Sequence, residues 1–301
     1  MDARVQHSRA GTRSGLAFGI GAYGLWGLLP IYFKLLQAVP SVAIVAHRIV
    51  WSLLALGLLV GVARGWGEIR SALRHRPTLK LLVTTSVLIA INWLVYVYAV
   101  NSGHILAGSL GYYLNPLANI LLGYFVLKEP LGRLQWLAVG IAAAGVAVLA
   151  AGALSHLWIS LVLCCSFSAY GLLRKIAQVE STAGLTIETA LLFPLALLWL
   201  LAAGGGGPAW GGNGTELLLL TGTGIASTIP LLFFTAAARR LRYSTLGILQ
   251  FIAPTLQFLV AVFLYGEAFT TAHAVAFGAI WTAAALYLLS SWRTARGQAP
   301  E

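Results

Sequence analysis

The chain of 301 residues is 59% hydrophobic and 9% charged, with a net charge of +11 and a mean hydropathy of +0.86. These proportions leave no room for a soluble domain, because the longest polar stretch amounts to about one loop. The positive residues are dispersed and form neither a basic helix nor an aromatic-bearing platform, which argues against nucleic acid as a partner and for membrane topology and attraction to anionic lipid.

Ten apolar segments, each near the roughly 20 residues that a spanning helix needs, follow one another along the chain. The first, 14–37, is too long for a signal-peptide core and lacks a small-residue cleavage site, so it is expected to be retained. It carries Trp26 and ends on Lys34, which either snorkels outward or meets substrate. Its Gly15 and Gly19, like Gly57 and Gly61 in the next segment, have the spacing of a close helix contact. The second segment, 42–63, holds His47, Arg48, Trp51 and Ser52. Arg48 lies seven residues from Ser41, roughly 10 Å inward at about 1.5 Å per residue, too deep for easy snorkelling. Trp51 is one turn past His47 and shares its face.

The third segment, 79–101, places Asn92 and Tyr96 one turn apart with Trp93 adjacent. The fourth, 104–127, contains Tyr112, Tyr113, Asn115, Pro116 and Asn119. The fifth is 131–153. The sixth, 155–173, contains the only cysteines, Cys164 and Cys165, neighbours that have no second cysteine cluster with which to ligate metal and that read as small buried hydrophobes. The seventh, 185–203, bears Glu188, whose depth from its own end mirrors that of Arg48. The eighth is 216–238. The ninth, 244–266, carries Gln250, Pro254 and Gln257, and the tenth is 270–291. Pro116 and Pro254 are predicted helix breaks, each freeing a carbonyl one turn earlier that nearby amides satisfy or that helps to present those amides to a ligand.

Threading these segments alternately through a bilayer puts seventeen of the nineteen Lys and Arg residues on one side, with Lys34 and Arg48 as exceptions. Segments predicted on the other side, such as 204–215, have none. That bias assigns both termini, the tails 1–13 and 292–301, to the cytoplasm.

Five spans precede residue 154 and five follow. Ala22-Tyr23-Gly24-Leu25 recurs as Ala169-Tyr170-Gly171-Leu172, and Ser109-Leu110-Gly111 opens the fourth span as Thr245-Leu246-Gly247 opens the ninth. A constant offset then superposes Pro116 on Pro254, Asn119 on Gln257, Glu129 on Glu267 and Gly140 on Gly278. The chain therefore reads as a duplication, repeat one over 14–153 and repeat two over 155–291. Because five is odd, the second copy enters from the opposite face, giving an all-α membrane protein of two inverted five-helix repeats, the arrangement transporters use to alternate access around a midplane site.

The predicted pathway residues are Arg48, His47, Trp51, Asn92, Tyr96, Tyr112, Asn115, Asn119, Glu188, Gln250 and Gln257, since ionisable and amide groups at membrane depth face protein or a wet cavity. Glu188 and His47 are the titratable candidates for coupling transport to protons. A structural pair between Arg48 and Glu188 is the alternative, disfavoured by their opposite depths. Glu129 and Glu267 are predicted to shape helix ends at opposite faces. No Walker loop or metal-binding motif occurs, the only aspartate is Asp2 and the six histidines are scattered, so an ATP-driven pump and a membrane-embedded enzyme are both disfavoured and neither cofactor nor metal is predicted. The expected partners are a small-molecule substrate and a bilayer with anionic lipids; the oligomeric state is not legible.

Several strings are specific. His47-Arg48-Ile49-Val50-Trp51-Ser52, Ser109-Leu110-Gly111-Tyr112-Tyr113-Leu114-Asn115-Pro116, Gln135-Trp136-Leu137-Ala138-Val139, Ile187-Glu188-Thr189 and Phe234-Thr235-Ala236-Ala237-Ala238-Arg239-Arg240-Leu241-Arg242, followed by Ser244-Thr245-Leu246-Gly247, resemble the RarD group of EamA-domain proteins in the drug/metabolite transporter superfamily. The resemblance runs from the first span to the ninth. It implies a ten-helix bacterial inner-membrane permease with two EamA repeats, a central cavity and alternating access. It supplies no list of binding residues, so the pathway residues rest on membrane depth.

Overall fold

The computed structural model describes residues 2–126, 128, 132–152, 154–177, 179–205, 207–238, 240 and 249–297. Eleven α-helices lie among them. They are α1 (Asp2–Lys34), α2 (Ser41–Val62), α3 (Trp66–Arg74), α4 (Arg76–Asn101), α5 (Ile105–Phe125), α6 (Arg133–Gly152), α7 (Leu154–Ile176), α8 (Ser181–Ala202), α9 (Gly214–Ala238), α10 (Ile252–Leu259) and α11 (Thr271–Gly297). A single 3-10 turn, Pro208–Trp210, precedes α9, and a π-helical turn, Val260–Leu264, prolongs α10.

Six helices are long and apolar enough to cross a membrane, through Ser14–Lys34, Ser41–Val62, Arg76–Asn101, His156–Arg174, Thr182–Ala202 and Gly214–Phe234. Shorter apolar helices cover Arg133–Val148, Ile252–Leu264 and Thr271–Leu286. Helix is what such sequences must form in lipid, where every backbone N–H and C=O needs a partner within its own segment. Helix starts follow proline chemistry: Pro40 precedes α2 and Pro77 occupies the first turn of α4, where a missing N–H costs nothing. Helix ends use glycine where the chain must turn left-handed, as at Gly103 (φ +74°) after α4 and Gly266 (φ +63°) after the π turn.

The burial pattern is inverted relative to a soluble protein. Leu58, Val62, Leu195, Leu218 and Phe263 are more than two-thirds exposed, while Arg48, His47, Asn92, Asn115 and Glu188 are buried. An apolar exterior around a polar interior is what a bilayer solvent selects. The chain is a multi-pass membrane protein.

Helix pairs meet where side chains are smallest. Along α6 and α11, a Cβ added at Gly145 would lie 2.7 Å from the Ala279 Cβ; along α5 and α7, one added at Gly111 would lie 2.8 Å from the Ser160 carbonyl oxygen. Gly27 of α1 meets Leu256 of α10, and Gly224 of α9 meets the Trp51 backbone on α2. The remaining principal contacts are α1 with α9, α2 with α8 and α9, and α4 with α7 and α8. These approaches replace the predicted one at Gly57 and Gly61: Gly57 has nothing within 4 Å, and the sole neighbour of Gly61 is Trp66 Nε1 at 3.9 Å. Those glycines face outward, and glycine spacing does not reveal whether a partner helix is there.

Other departures are local. Residues 2–13 continue α1 and 292–297 continue α11, so the predicted tails are largely helical. The basic segment between the second and third spans contains α3, an amphipathic helix. Cys165 is exposed while Cys164 is buried, since adjacent helical positions point some 100° apart. α5 runs unbroken through position 116, so no helix break occurs there. The second predicted break takes the form of a turn at Gln250–Phe251, with Pro254 in the first turn of α10. Glu129 and the Thr245-Leu246-Gly247 motif lie outside the described residues.

Candidate functional site

One cluster lies where α2, α4, α5 and α7 converge. Arg48 is 6% exposed, and its guanidinium carbon sits 4.2 Å from the centroid of the Trp93 ring. This is a cation–π contact strengthened by desolvation. Two phenols, Tyr96 and Tyr112, lie within electrostatic reach of the same guanidinium. Their rings are 5.5 Å apart, Phe33 stands edge-on to Tyr96 at 6.2 Å, and Phe167 of α7 stands edge-on to Tyr112 at 5.9 Å. Asn92 fixes this arrangement: its Oδ1 accepts from the Tyr112 hydroxyl (2.9 Å), and its Nδ2 donates to the Leu163 carbonyl (3.1 Å) and to Ser166 Oγ (3.0 Å). A buried amide with both ends committed is a rigid positioning group.

The Arg48 Nε and the Tyr96 hydroxyl are buried without a hydrogen-bond partner, and so is the Asn115 Nδ2, three residues beyond Tyr112 on α5. The Asn115 Oδ1 accepts from Ser168 Oγ at 3.5 Å. Among the described residues Arg48 makes no ion pair and no hydrogen bond. Unsatisfied buried polar groups cost free energy, and here three donors around one buried cation leave room for a missing acceptor.

A second cluster surrounds Glu188, seven residues into α8. Its Oε1 accepts from Thr85 Oγ1 of α4 (2.6 Å) and lies 3.8 Å from the Arg174 Nε of α7; its Oε2 accepts from the Tyr170 hydroxyl (3.1 Å). Arg174 also donates to the Glu180 carbonyl (3.2 Å), and the Glu180 N–H donates to Glu68 of α3 (2.8 Å). Gly184, one turn before Glu188, makes the guanidinium's position available: an added Cβ would come within 1.8 Å of Arg174 Nη1. The partner of Glu188 is thus Arg174, and Arg48 stands in the other cluster.

Several predicted pathway residues lie outside these two clusters. His47 Nε2 is 3.1 Å from the Ala209 carbonyl, and its ring is edge-on to Trp210, so the 3-10 turn Pro208–Trp210 closes over that end of α2. Trp51 packs at the α2–α9 crossing against Gly224. Gln257 ties α10 to α1 through the Trp26 carbonyl (3.3 Å). Gln250 is half-buried, and Asn119 is exposed, outside the convergent group. Pro254 offers its carbonyl to Ser109 Oγ of α5 (2.7 Å). Sequence reasoning passed over Thr85, Ser166, Tyr170 and Arg174 as site members. The available signal was the duplicated Tyr170, one helical turn before Arg174 and on its face.

Residues 13–151 match the EamA-like transporter family. Over 296 residues the chain is 46% identical to an uncharacterized transporter of Pseudomonas aeruginosa, covering 95% of this chain and 97% of that one. It is 43% identical over 294 residues to protein RarD of Escherichia coli (95% and 97%) and 35% identical over 286 residues to the chloramphenicol-sensitive protein RarD of P. aeruginosa (94% and 95%). A solved crystal structure 25% identical in sequence superposes with a TM-score of 0.60 over 91% of this chain and 97% of that chain. The chain belongs to the RarD group of the EamA-like transporters, within the drug/metabolite transporter superfamily.

Proposed function

We propose that the chain is a secondary transporter of the bacterial inner membrane that exports a small polar or amphipathic metabolite or drug by alternating access. The observation that carries this reading is the cluster of buried Arg48 and Tyr96 with half-buried Trp93 and Tyr112, polar and aromatic groups inside an apolar exterior with donors left open.

Two inverted five-helix repeats, 14–153 and 155–291, supply the moving parts, with both termini cytoplasmic and the basic face turned toward anionic lipid. The helix contacts support the duplication. Exchanging the halves carries the α1–α9 contact onto α7–α4, the α1–α10 contact onto α7–α5 and the α2–α9 contact onto α8–α4, while α2–α8, α5–α10 and α6–α11 map onto themselves. Energy comes from a gradient. Glu188 is the coupling group: protonation weakens its attraction to Arg174 and so loosens α8 from α7, whereas His47 is held by the Ala209 carbonyl. Facilitated movement without protons is the alternative, and it leaves the Glu188–Arg174 pair a purely structural strap.

Purified protein in liposomes, loaded with a metabolite and drug panel and assayed for counterflow, tests the reading. Accumulation of at least one panel member above protein-free liposomes, raised further by an imposed pH gradient, is expected. Absence of protein-dependent flux for the whole panel, with binding retained, removes the transporter reading; flux indifferent to the pH gradient selects facilitated movement.

A further inference from the structure

Among the described residues Arg48 is a cation without an anion. Its cluster lies roughly 10 Å from the helix end, where an uncompensated charge is expensive and normally has a partner. Four of the described carboxylates are engaged elsewhere: Glu188 with Thr85, Tyr170 and Arg174, Glu267 with the Ile105 and Leu106 N–H groups, Glu216 with the Gly212 N–H and Glu68 with the Glu180 N–H. The groups within electrostatic reach of Arg48 are the neutral phenols of Tyr96 and Tyr112. Open donors accompany the charge, namely Arg48 Nε and the Tyr96 hydroxyl. A buried cation with an open hydroxyl in electrostatic reach suits a carboxylate, which can take the guanidinium fork and also accept from a phenol. The rings of Trp93, Tyr96, Tyr112 and Phe167 gather around that point, and aromatic faces favour contact with a planar apolar body.

We propose that the Arg48 guanidinium, over the Trp93 ring and with the open Tyr96 hydroxyl one turn further along α4, is the docking point for a carboxylate, and that the substrates are small organic monoanions with a flat apolar body. This rests on the transporter reading and narrows its substrate class. A neutral isostere leaves the guanidinium without a counter-charge, and a cationic one meets like charge, so charge decides recognition while the ring walls tolerate variation in shape.

Three probes sharing one ring system separate these cases: indole-3-acetate, indole-3-acetamide and tryptamine, carrying negative, zero and positive charge near pH 7.5. Binding is measured by calorimetry on the protein in nanodiscs, and movement by counterflow in liposomes. Indole-3-acetate is expected to bind at least about tenfold more tightly than the other two and to be the one moved. Arg48→Gln loses that preference by on the order of a hundredfold in affinity, and Arg48→Lys keeps the preference for the anion with weaker binding. The wild-type probe series does not depend on whether a variant folds. Equal or tighter binding of the amide or amine, binding of none of the three, or an unchanged anion preference in Arg48→Gln overturns the anion site. Movement of the amide or amine in place of the acetate does so while transport stands. Arg48-dependent binding of the acetate without any movement leaves the site standing and removes transport.

Discussion

The Arg174 Nε lies 3.8 Å from the Glu188 Oε1, a pair that joins the end of α7 to the first half of α8 with Thr85 of α4 hydrogen-bonded to the same oxygen. Three helices from both halves of the chain thus converge on one carboxylate. Breaking such a buried pair from one side is costly because the remaining charge loses its compensation.

Glu188→Gln is the informative change, because an amide still accepts from one of the Tyr170 and Thr85 hydroxyls and can donate to the oxygen of the other, but neither carries charge nor exchanges a proton. Gradient-driven accumulation in liposomes is expected to fall to the level of equilibration while counterflow persists. Full accumulation in this variant would remove Glu188 from the coupling path. Glu188→Ala, which also removes the hydrogen bonds, is expected to lower stability by about 3 kcal/mol, read as a drop in melting temperature in detergent.

Gly184→Ala tests the same pair without touching either charged residue. The added methyl occupies the space of the Arg174 guanidinium, whose nearest nitrogen would be 1.8 Å away, so the flexible side chain must move off Glu188. Alanine is the better helix former by about 1 kcal/mol, so abundance in the membrane should hold. Coupling, measured as the ratio of gradient-driven uptake to counterflow, should fall toward that of Glu188→Gln. An unchanged ratio would show that Arg174 can leave the carboxylate without consequence.

How far the sequence reached follows from what each signal encodes. Apolar run length reports on helix and bilayer alone, which is why the helical segments were legible from composition, and the depth of Arg48 and Glu188 followed from counting residues from a helix end. Which way a residue points around its helix depends on neighbours that a single span cannot name. Trp51 was a predicted pathway residue and Trp93 was not; the bundle turns Trp93 onto Arg48 and sets Trp51 against Gly224 of α9. Asn119 and Gly57 share that ambiguity, and both proved to lie on open surfaces. Arg174 escaped notice because its position near a span end made it a topology marker, although Tyr170 one turn earlier already pointed the same way.

At the far end of the bundle, the Glu267 carboxylate accepts the N–H groups of Ile105 (2.6 Å) and Leu106 (2.9 Å), so the residue that follows the π turn caps the start of α5. The first N–H groups of a helix have no partner within it, and an acid there also meets the positive end of the helix dipole. Lys34, at 5.5 Å from the Tyr265 ring, adds positive charge nearby. Glu267→Ala is expected to cost about 1–2 kcal/mol, seen as a lower melting temperature in detergent, and Glu267→Gln to recover part of it through one retained hydrogen bond. Equal melting of the Glu267→Ala variant and wild type would mean that solvent satisfies those N–H groups equally well.

Charge placement carries the last prediction, the orientation of the bundle. Arg64, Arg70, Arg74, Arg76 and Lys80 cluster around α3, while the stretch 204–215 at the other end of α8 has neither Lys nor Arg. Insertion machinery keeps such short basic segments in the cytoplasm, and the ten spans proposed would return the C-terminus to the same side. In a background where Cys164 and Cys165 are serine, single cysteines at Arg74 and Gly205 should respond oppositely to a membrane-impermeant thiol reagent applied to intact cells. Position 205 should be modified, and position 74 only after the cells are opened. Modification of position 74 in intact cells, with position 205 protected, would reverse the bundle in the membrane and with it the direction in which the Glu188 pair could sense a proton gradient.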